Sequence, residues 1–295
     1  MKRFQGVITA LVTPFRNGKI DEKAFIQLIE SQIANGIQGI VPVGTTGESP
    51  TLSHEEHLRV IELAVQTVKG RIPVIAGTGS NSTKEAIDLT QSAEKLGADG
   101  ALLVAPYYNR PTQAGLVVHF GEIANSTKLP LILYSIPGRC GVEIAVETVA
   151  QLVKNHRNIV GIKEAGGQSD RVSQLRQQLP DSFDILCGDD SLFLSFMAVG
   201  AVGVISVASH LVPQQIIQMM LAFQSGKIAE AEKMHRALYP IFKDLFIESN
   251  PSPLKTALAR QGVMESEVRL PLVKLDPANE AKLFKTLELL LQIRH

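Results

Sequence analysis

Eight short runs rich in Val, Ile and Leu recur along the chain, each followed by a stretch with apolar residues at helical spacing. The runs are Val7–Val12, Gly39–Val43, Pro73–Ala76, Gly100–Ala105, Pro130–Tyr134, Ile159–Lys163, Asp184–Cys187 and Val202–Val207. Their near-continuous apolar character is that of parallel strands covered on both faces. Between them lie sets such as Phe25, Leu28, Ile29 and Ile33, or Leu58, Ile61, Leu63, Val65 and Val68, the repeat of one helical face. Asp21, Ser53 with Glu56, and Ser82 with Glu85 read as helix N-caps, and Gly36, Gly70 and Gly97 as closing glycines. Eight βα units in about 225 residues fit a (β/α)8 TIM barrel, whose usual size is roughly 250 residues. The rival α/β architecture, a doubly wound open sheet, usually has fewer strands and a G-x-G-x-x-G after the first. Here the first strand runs into Thr13-Pro14-Phe15 instead.

After Pro213 the strand signal stops, and Gln214–Phe223, Ile228–Ile247, Pro253–Gln261 and Pro277–Leu291 read as helices. The expected organisation is a barrel carrying the active site over residues 1–225 and a C-terminal helical domain over 226–295. Pro251, Pro253, Pro271 and Pro277 mark the corners of that appendage. Charge balance excludes some partners: 29 basic side chains face 29 acidic ones, which argues against nucleic-acid binding and against retention on anionic lipid. Hydrophobic residues at 45% and charged ones at 20% exclude a disordered, collagenous or coiled-coil chain. Cys140 and Cys187 form no C-x-x-C pair, too few cysteines for a disulfide framework. The first apolar run ends at Thr13-Pro14 without a long signal-peptide core, and no run reaches membrane-spanning length. A cytoplasmic protein without membrane contact is expected.

In a barrel, catalytic groups sit at the C-terminal strand ends and in the loops that follow. Strand two exits into Gly44-Thr45-Thr46-Gly47-Glu48-Ser49, strand four into Pro106-Tyr107-Tyr108-Asn109-Arg110-Pro111, and strand five into Tyr134-Ser135-Ile136-Pro137-Gly138-Arg139. Strand six ends in Lys163-Glu164-Ala165-Gly166-Gly167 and strand seven in Gly188-Asp189-Asp190. A lysine delivered by Ile159-Val160-Gly161-Ile162 into a barrel mouth is desolvated, which lowers its pKa and frees the neutral amine as a nucleophile. The alternatives are a side chain that reaches back to solvent or pairs with Glu164. Tyr134 either moves protons for such an amine or caps a core strand with its hydroxyl in water. Thr45 and Thr46, between glycines, offer hydroxyls and backbone N–H groups to a small carboxylate, or simply form a tight loop before the Ser53 cap. His54-Glu55-Glu56-His57 spaces its histidines i, i+3 and is not the H-E-x-x-H of a zinc enzyme. A mechanism without metal or other cofactor is expected, and the cysteines are read as structural.

In combination and in this order, these motifs resemble the pyruvate-dependent Schiff-base aldolases of the N-acetylneuraminate lyase family. The resemblance runs from Gly6 to about Pro271 and includes Gly161-Ile162-Lys163-Glu164-Ala165 and Asn250-Pro251-x-Pro253-x-Lys255. It implies that Lys163 forms an imine with pyruvate and that the derived enamine attacks L-aspartate 4-semialdehyde, on the way to diaminopimelate and lysine. It further implies that Tyr134 exchanges protons through Thr45 and Tyr108, with Tyr108 supplied by a neighbouring subunit of a homo-oligomer, commonly a tetramer arranged as a dimer of dimers. Thr46 and the backbone at Ile205 would bind pyruvate, Gly188 would leave room, and Arg139 would take the second substrate's carboxylate. Ser49, His54, His57, Asn81, Glu85 and Tyr107 match positions that bind lysine in feedback-inhibited members. Three positions depart from the family pattern: Ser135 where asparagine is usual, Cys140 where threonine is usual, and Pro50 where alanine is common. A sugar-acid aldolase of the same family, which generally lacks the arginine at Arg139, and a keto-acid-binding barrel without catalysis are the competing readings.

Overall fold

The computed structural model describes residues 4–293. Eight parallel strands make one sheet: β1 Gly6–Ala10, β2 Gly39–Val41, β3 Ile75–Gly77, β4 Gly100–Val104, β5 Leu131–Ser135, β6 Ile159–Glu164, β7 Asp184–Cys187 and β8 Gly203–Ser206. Each pairs with its neighbours in sequence, and β1 pairs with both β2 and β8. A bridge between Ile40 and Val74 joins β2 to β3 and closes the ring. The alternation is therefore a (β/α)8 barrel rather than an open doubly wound sheet.

Helices α1 Glu22–Ala34, α2 His54–Val68, α3 Thr83–Lys95, α4 Gln113–Asn125, α5 Val146–Asn155, α6 Ser169–Gln178, α7 Phe193–Ala198 and α8 Pro213–Gln224 follow the successive strands. Asp21 accepts from the Ala24 amide, and Ser53 with Glu56 forms a reciprocal capping box. Ser82 accepts from the Glu85 amide, whereas the Glu85 carboxylate turns away to other partners described below. Among the described residues the tail adds α9 Ile228–Asp244, α10 Ser252–Arg260 and α11 Pro277–Ile293. Helix α9 packs on α8 and α11. A two-stranded hairpin, Phe15–Arg16 with Lys19–Ile20, lies between β1 and α1; its strands are too short to leave a periodic signal. Among the described residues no helix is long and apolar enough to cross a membrane.

Two apolar layers hold the barrel. The inner one contains Ile8, Val41, Leu102, Ile132, Leu186 and Ile205 among others, with Phe4 filling the N-terminal end. A Cβ added at Gly100 would lie 2.8 Å from the Phe4 ring, so that glycine admits the plug. The outer layer joins the far faces of the strands to the helices and to the tail. With the inner volume filled from below, the C-terminal mouth is where a barrel of this kind places its functional groups.

Candidate active site

The mouth holds a cavity of about 270 Å³ walled by Thr45, Thr46, Tyr134, Arg139, Lys163 and Gly188, with Val43, Cys140, Val207 and Asn250 among the remaining contacts. Register explains the convergence: Tyr134 on β5 stands directly opposite Lys163 on β6. The Lys163 ammonium lies over the Tyr134 ring, 4.2 Å from its centroid.

Lys163 neither reaches solvent nor pairs with Glu164. Its side chain is 7% exposed. Glu164 is taken by Arg171, whose Nε donates to its carboxylate at 2.6 Å, and by the Gly166 amide at 2.7 Å. Burial therefore dominates and pulls the Lys163 ammonium down to about 8; the Asp190 carboxylate opposes this and the Arg139 guanidinium reinforces it. Asp190 has little freedom to approach: its Oδ2 accepts from the Val207 and Ala208 amides at 2.9 Å each. Gly188 leaves the amine its space, since a Cβ there would lie 3.1 Å from Lys163 Cε and 2.7 Å from Ala165 Cβ.

Burial raises the Tyr134 phenol far above its ordinary value, so it stays protonated at neutral pH; Arg139 and a hydrogen bond shared with Thr45 oppose that shift. Thr46 Oγ accepts from Asn250 Nδ2 at 2.9 Å. Arg139 sits on a single helical turn, Pro137–Cys140, with its guanidinium exposed at the rim. Two expected residues do not line the cavity with their side chains. Ile205 packs in the inner layer of the barrel, paired with Ile8 and in the same apolar cluster as Tyr134. Tyr108 is 91% exposed, at φ 72°, and does not line the cavity of its own chain.

The second expected cluster is linked by its contacts: Ser49 and Tyr107 border the main cavity, the Tyr107 phenol hydrogen-bonds Ser80, and both Tyr107 and His57 lie in the field of Glu85. His54 Nε2 lies 2.7 Å from Glu85 Oε1, and Ser80 donates to the same carboxylate. His57 is buried behind the rim and held down to about 4 by burial, so it is neutral. Its Nε2 donates to the Gly77 carbonyl at 2.9 Å, leaving Nδ1 to accept from Ser49 Oγ at 3.4 Å. Asn81 Nδ2 donates to the Tyr107 carbonyl at 3.2 Å. Among the described residues no group of three or more His, Cys, Asp or Glu is placed to hold a metal ion.

Asp190 and Asn250 are the site residues that sequence reasoning left without a role. Both stood inside quoted motifs, but nothing in local spacing ties Asn250 to Thr46 across 204 positions.

A barrel whose mouth presents a dry amine beside a protonated phenol and a free guanidinium is that of an enzyme working on small carbonyl acids through an amine nucleophile. The chain belongs to the dihydrodipicolinate synthetase family, whose model matches residues 3–290. It is 53% identical over 280 residues to 4-hydroxy-tetrahydrodipicolinate synthase of Geotalea uraniireducens, covering 95% of this chain and 96% of that one. The structure of the same enzyme from Methylacidiphilum fumariolicum SolV superposes with a TM-score of 0.97 at 57% identity, covering 99% of both chains. A structure from Cyanidioschyzon merolae with lysine bound superposes at 0.95 with 40% identity, covering 97% of this chain and 98% of that one.

The desolvated amine has a measurable consequence. Borohydride trapping of a small keto acid on Lys163 should rise as pH passes through about 8, because the neutral amine is the reactive form. A midpoint at the ordinary lysine value of 10.5 would show that the side chain is solvated.

Proposed function

We propose that this chain condenses pyruvate with L-aspartate 4-semialdehyde through an imine on Lys163, giving 4-hydroxy-tetrahydrodipicolinate in lysine and diaminopimelate biosynthesis. The observation that carries this reading is the buried Lys163 amine facing Tyr134 in a cavity whose rim holds Arg139. The neutral amine attacks the keto carbon of pyruvate and water leaves, forming the imine. Thr46 and the backbone at Ile205 receive the pyruvate carboxylate, with Thr45 beside Thr46 in the cavity wall. Loss of a methyl proton gives the enamine, whose carbon attacks the aldehyde of the second substrate. The amine of that substrate then closes on the imine carbon and releases Lys163.

Tyr134 carries the protons. Its raised pKa keeps it a donor at rest, and its hydrogen bond with Thr45 offers an exit for the proton it takes up. The relay ends in Tyr108 of a second copy. Its exposure on its own chain supports that reading, in which the working form is a homo-oligomer, a tetramer arranged as a dimer of dimers. Arg139 supplies a planar fork for the semialdehyde carboxylate, and this is what separates the activity from sugar-acid cleavage. The reading places the enzyme in the cytoplasm.

L-Lysine is the regulator in this reading. It binds among Ser49, His54, His57, Asn81, Glu85 and Tyr107, with its ammonium on Glu85 in place of His54. Tyr107 adjoins the relay residue Tyr108, so the ligand has a physical route to the proton path.

Three experiments test these assignments. Pyruvate should be trapped by borohydride as one adduct on the wild type and as none on Lys163→Arg, since arginine stays protonated; equal trapping would overturn the imine site. Arg139→Ala should leave trapping intact but lower kcat/KM for the semialdehyde more than about tenfold, from losing a charge-assisted hydrogen bond of roughly 1.5–3 kcal/mol. An unchanged kcat/KM would remove Arg139 from substrate recognition. Calorimetry should detect lysine binding at millimolar concentration on the wild type and none on His57→Ala with Glu85→Ala; heat in both or in neither would rule out the regulatory site.

A further inference from the structure

The second fully buried lysine of the chain, Lys255 on α10, belongs to no substrate pocket. Its Nζ lies 2.5 Å from Glu48 Oε1, with side-chain exposures of 0% and 1%. It also donates to the Glu267 carbonyl at 2.9 Å and lies over the Phe15 ring, 4.1 Å from its centroid. The second oxygen of Glu48 accepts from the Arg269 amide at 3.0 Å. Glu48 itself ends the loop that carries Thr45 and Thr46, and neither Glu48 nor Lys255 lines the cavity.

That loop has an unfavourable backbone at both ends. Val43 sits at φ 50° and Glu48 at φ 56°, in the left-handed region that non-glycine residues, β-branched ones above all, rarely adopt. Such a conformation persists only where surrounding contacts over-determine it. From the barrel side, Thr13 donates to the Gly47 carbonyl at 2.7 Å. From the tail side, Asn250 holds Thr46, and the ion pair holds Glu48. A buried ion pair adds little stability over apolar side chains of the same volume; unlike them, it fixes the direction of a single carboxylate.

We infer that the Glu48–Lys255 pair is a positioning device by which the C-terminal helices set the Thr45–Thr46 wall for the pyruvate carboxylate. The inference rests on the imine reading above and extends it to residues that touch no substrate. It makes α10 and the 265–269 segment a functional part of the pyruvate pocket, reached through one buried charge.

Removing one partner leaves the other charged and buried, so the single variants Glu48→Gln and Lys255→Met carry a folding cost. The double variant Glu48→Leu with Lys255→Met replaces both charges by apolar groups and carries the test. Thermal unfolding should show it folded and cooperative at the assay temperature, with the Tm lowered by the Arg269 amide and Glu267 carbonyl that lose their partners. Its half-saturating pyruvate in borohydride trapping should nevertheless rise on the order of tenfold or more, as expected for a displaced binding wall, while saturating pyruvate still yields one adduct per chain. A folded double variant with wild-type half-saturation would show that the pair only fills space and would overturn the inference. Failure of the wild type itself to trap pyruvate would remove the imine reading, and this inference with it.

Discussion

The arrangement at the barrel mouth depends on keeping one ammonium group out of water. An exposed lysine at neutral pH carries its proton almost all the time, and lowering its pKa from 10.5 to about 8 raises the neutral fraction on the order of a hundredfold. Burial alone produces this only if no nearby carboxylate is free to stabilise the charge. The neighbouring Glu164 is held by Arg171, and one oxygen of Asp190 is held by two backbone amides, so Asp190 opposes the effect of burial without cancelling it. What remains next to Lys163 is the Tyr134 ring, which tolerates the cation during the reaction cycle without fixing it as a carboxylate would.

The loops around the amine store the cost of this placement. Besides Val43 and Glu48, the non-glycine residues Tyr108 and Arg110 also have positive φ, both in the loop after β4. Each such residue costs of order 1–3 kcal/mol, and among the described residues four of the six non-glycine residues with positive φ lie in these two loops, the others being Asn17 and Lys69. The compensation comes from the tail. Arg269 forms a bidentate pair with Glu56 at 2.6 Å on both arms, fastening the tail to the first turn of α2, just past the strained loop. Its guanidinium also packs on Phe15, the ring that Lys255 covers. The hairpin, the strained loop and the tail are therefore tied together, and the tail counts as part of the site's scaffold.

The strands were legible because a buried parallel strand has to be apolar at every position, which leaves a signal in any single run. Their ends were less so. The second run reads as Gly39–Val43, but the strand ends at Val41; Val43 turns into the left-handed region, where its backbone approaches Gly47 so closely that a Cβ there would stand 3.0 Å from Val43 Cα. Lys163, Tyr134, Thr45, Thr46 and Arg139 were legible as strand-end residues once the barrel was recognised. Asp190, Asn250 and the partners of Glu48 were not, because their contacts span long stretches of chain and leave no periodic trace.

The two departures near Arg139 can be read in the same terms. Ser135 is fully buried, and its Oγ accepts from the Ile144 amide at 3.3 Å, so the shorter side chain still closes the loop that carries Arg139. Arg110 adds a second tie, donating from Nε to the Gly141 carbonyl at 3.0 Å. Cys140 forms part of the cavity wall, and burial raises its thiol to about 11, with Arg139 opposing. A thiol held that high is protonated at the pH where Lys163 begins to lose its proton, and a thiol is a poor nucleophile compared with its thiolate. Cys140 therefore lines the pocket as a small apolar group and does not compete with Lys163 for the carbonyl, so the substitution leaves the chemistry with a single nucleophile.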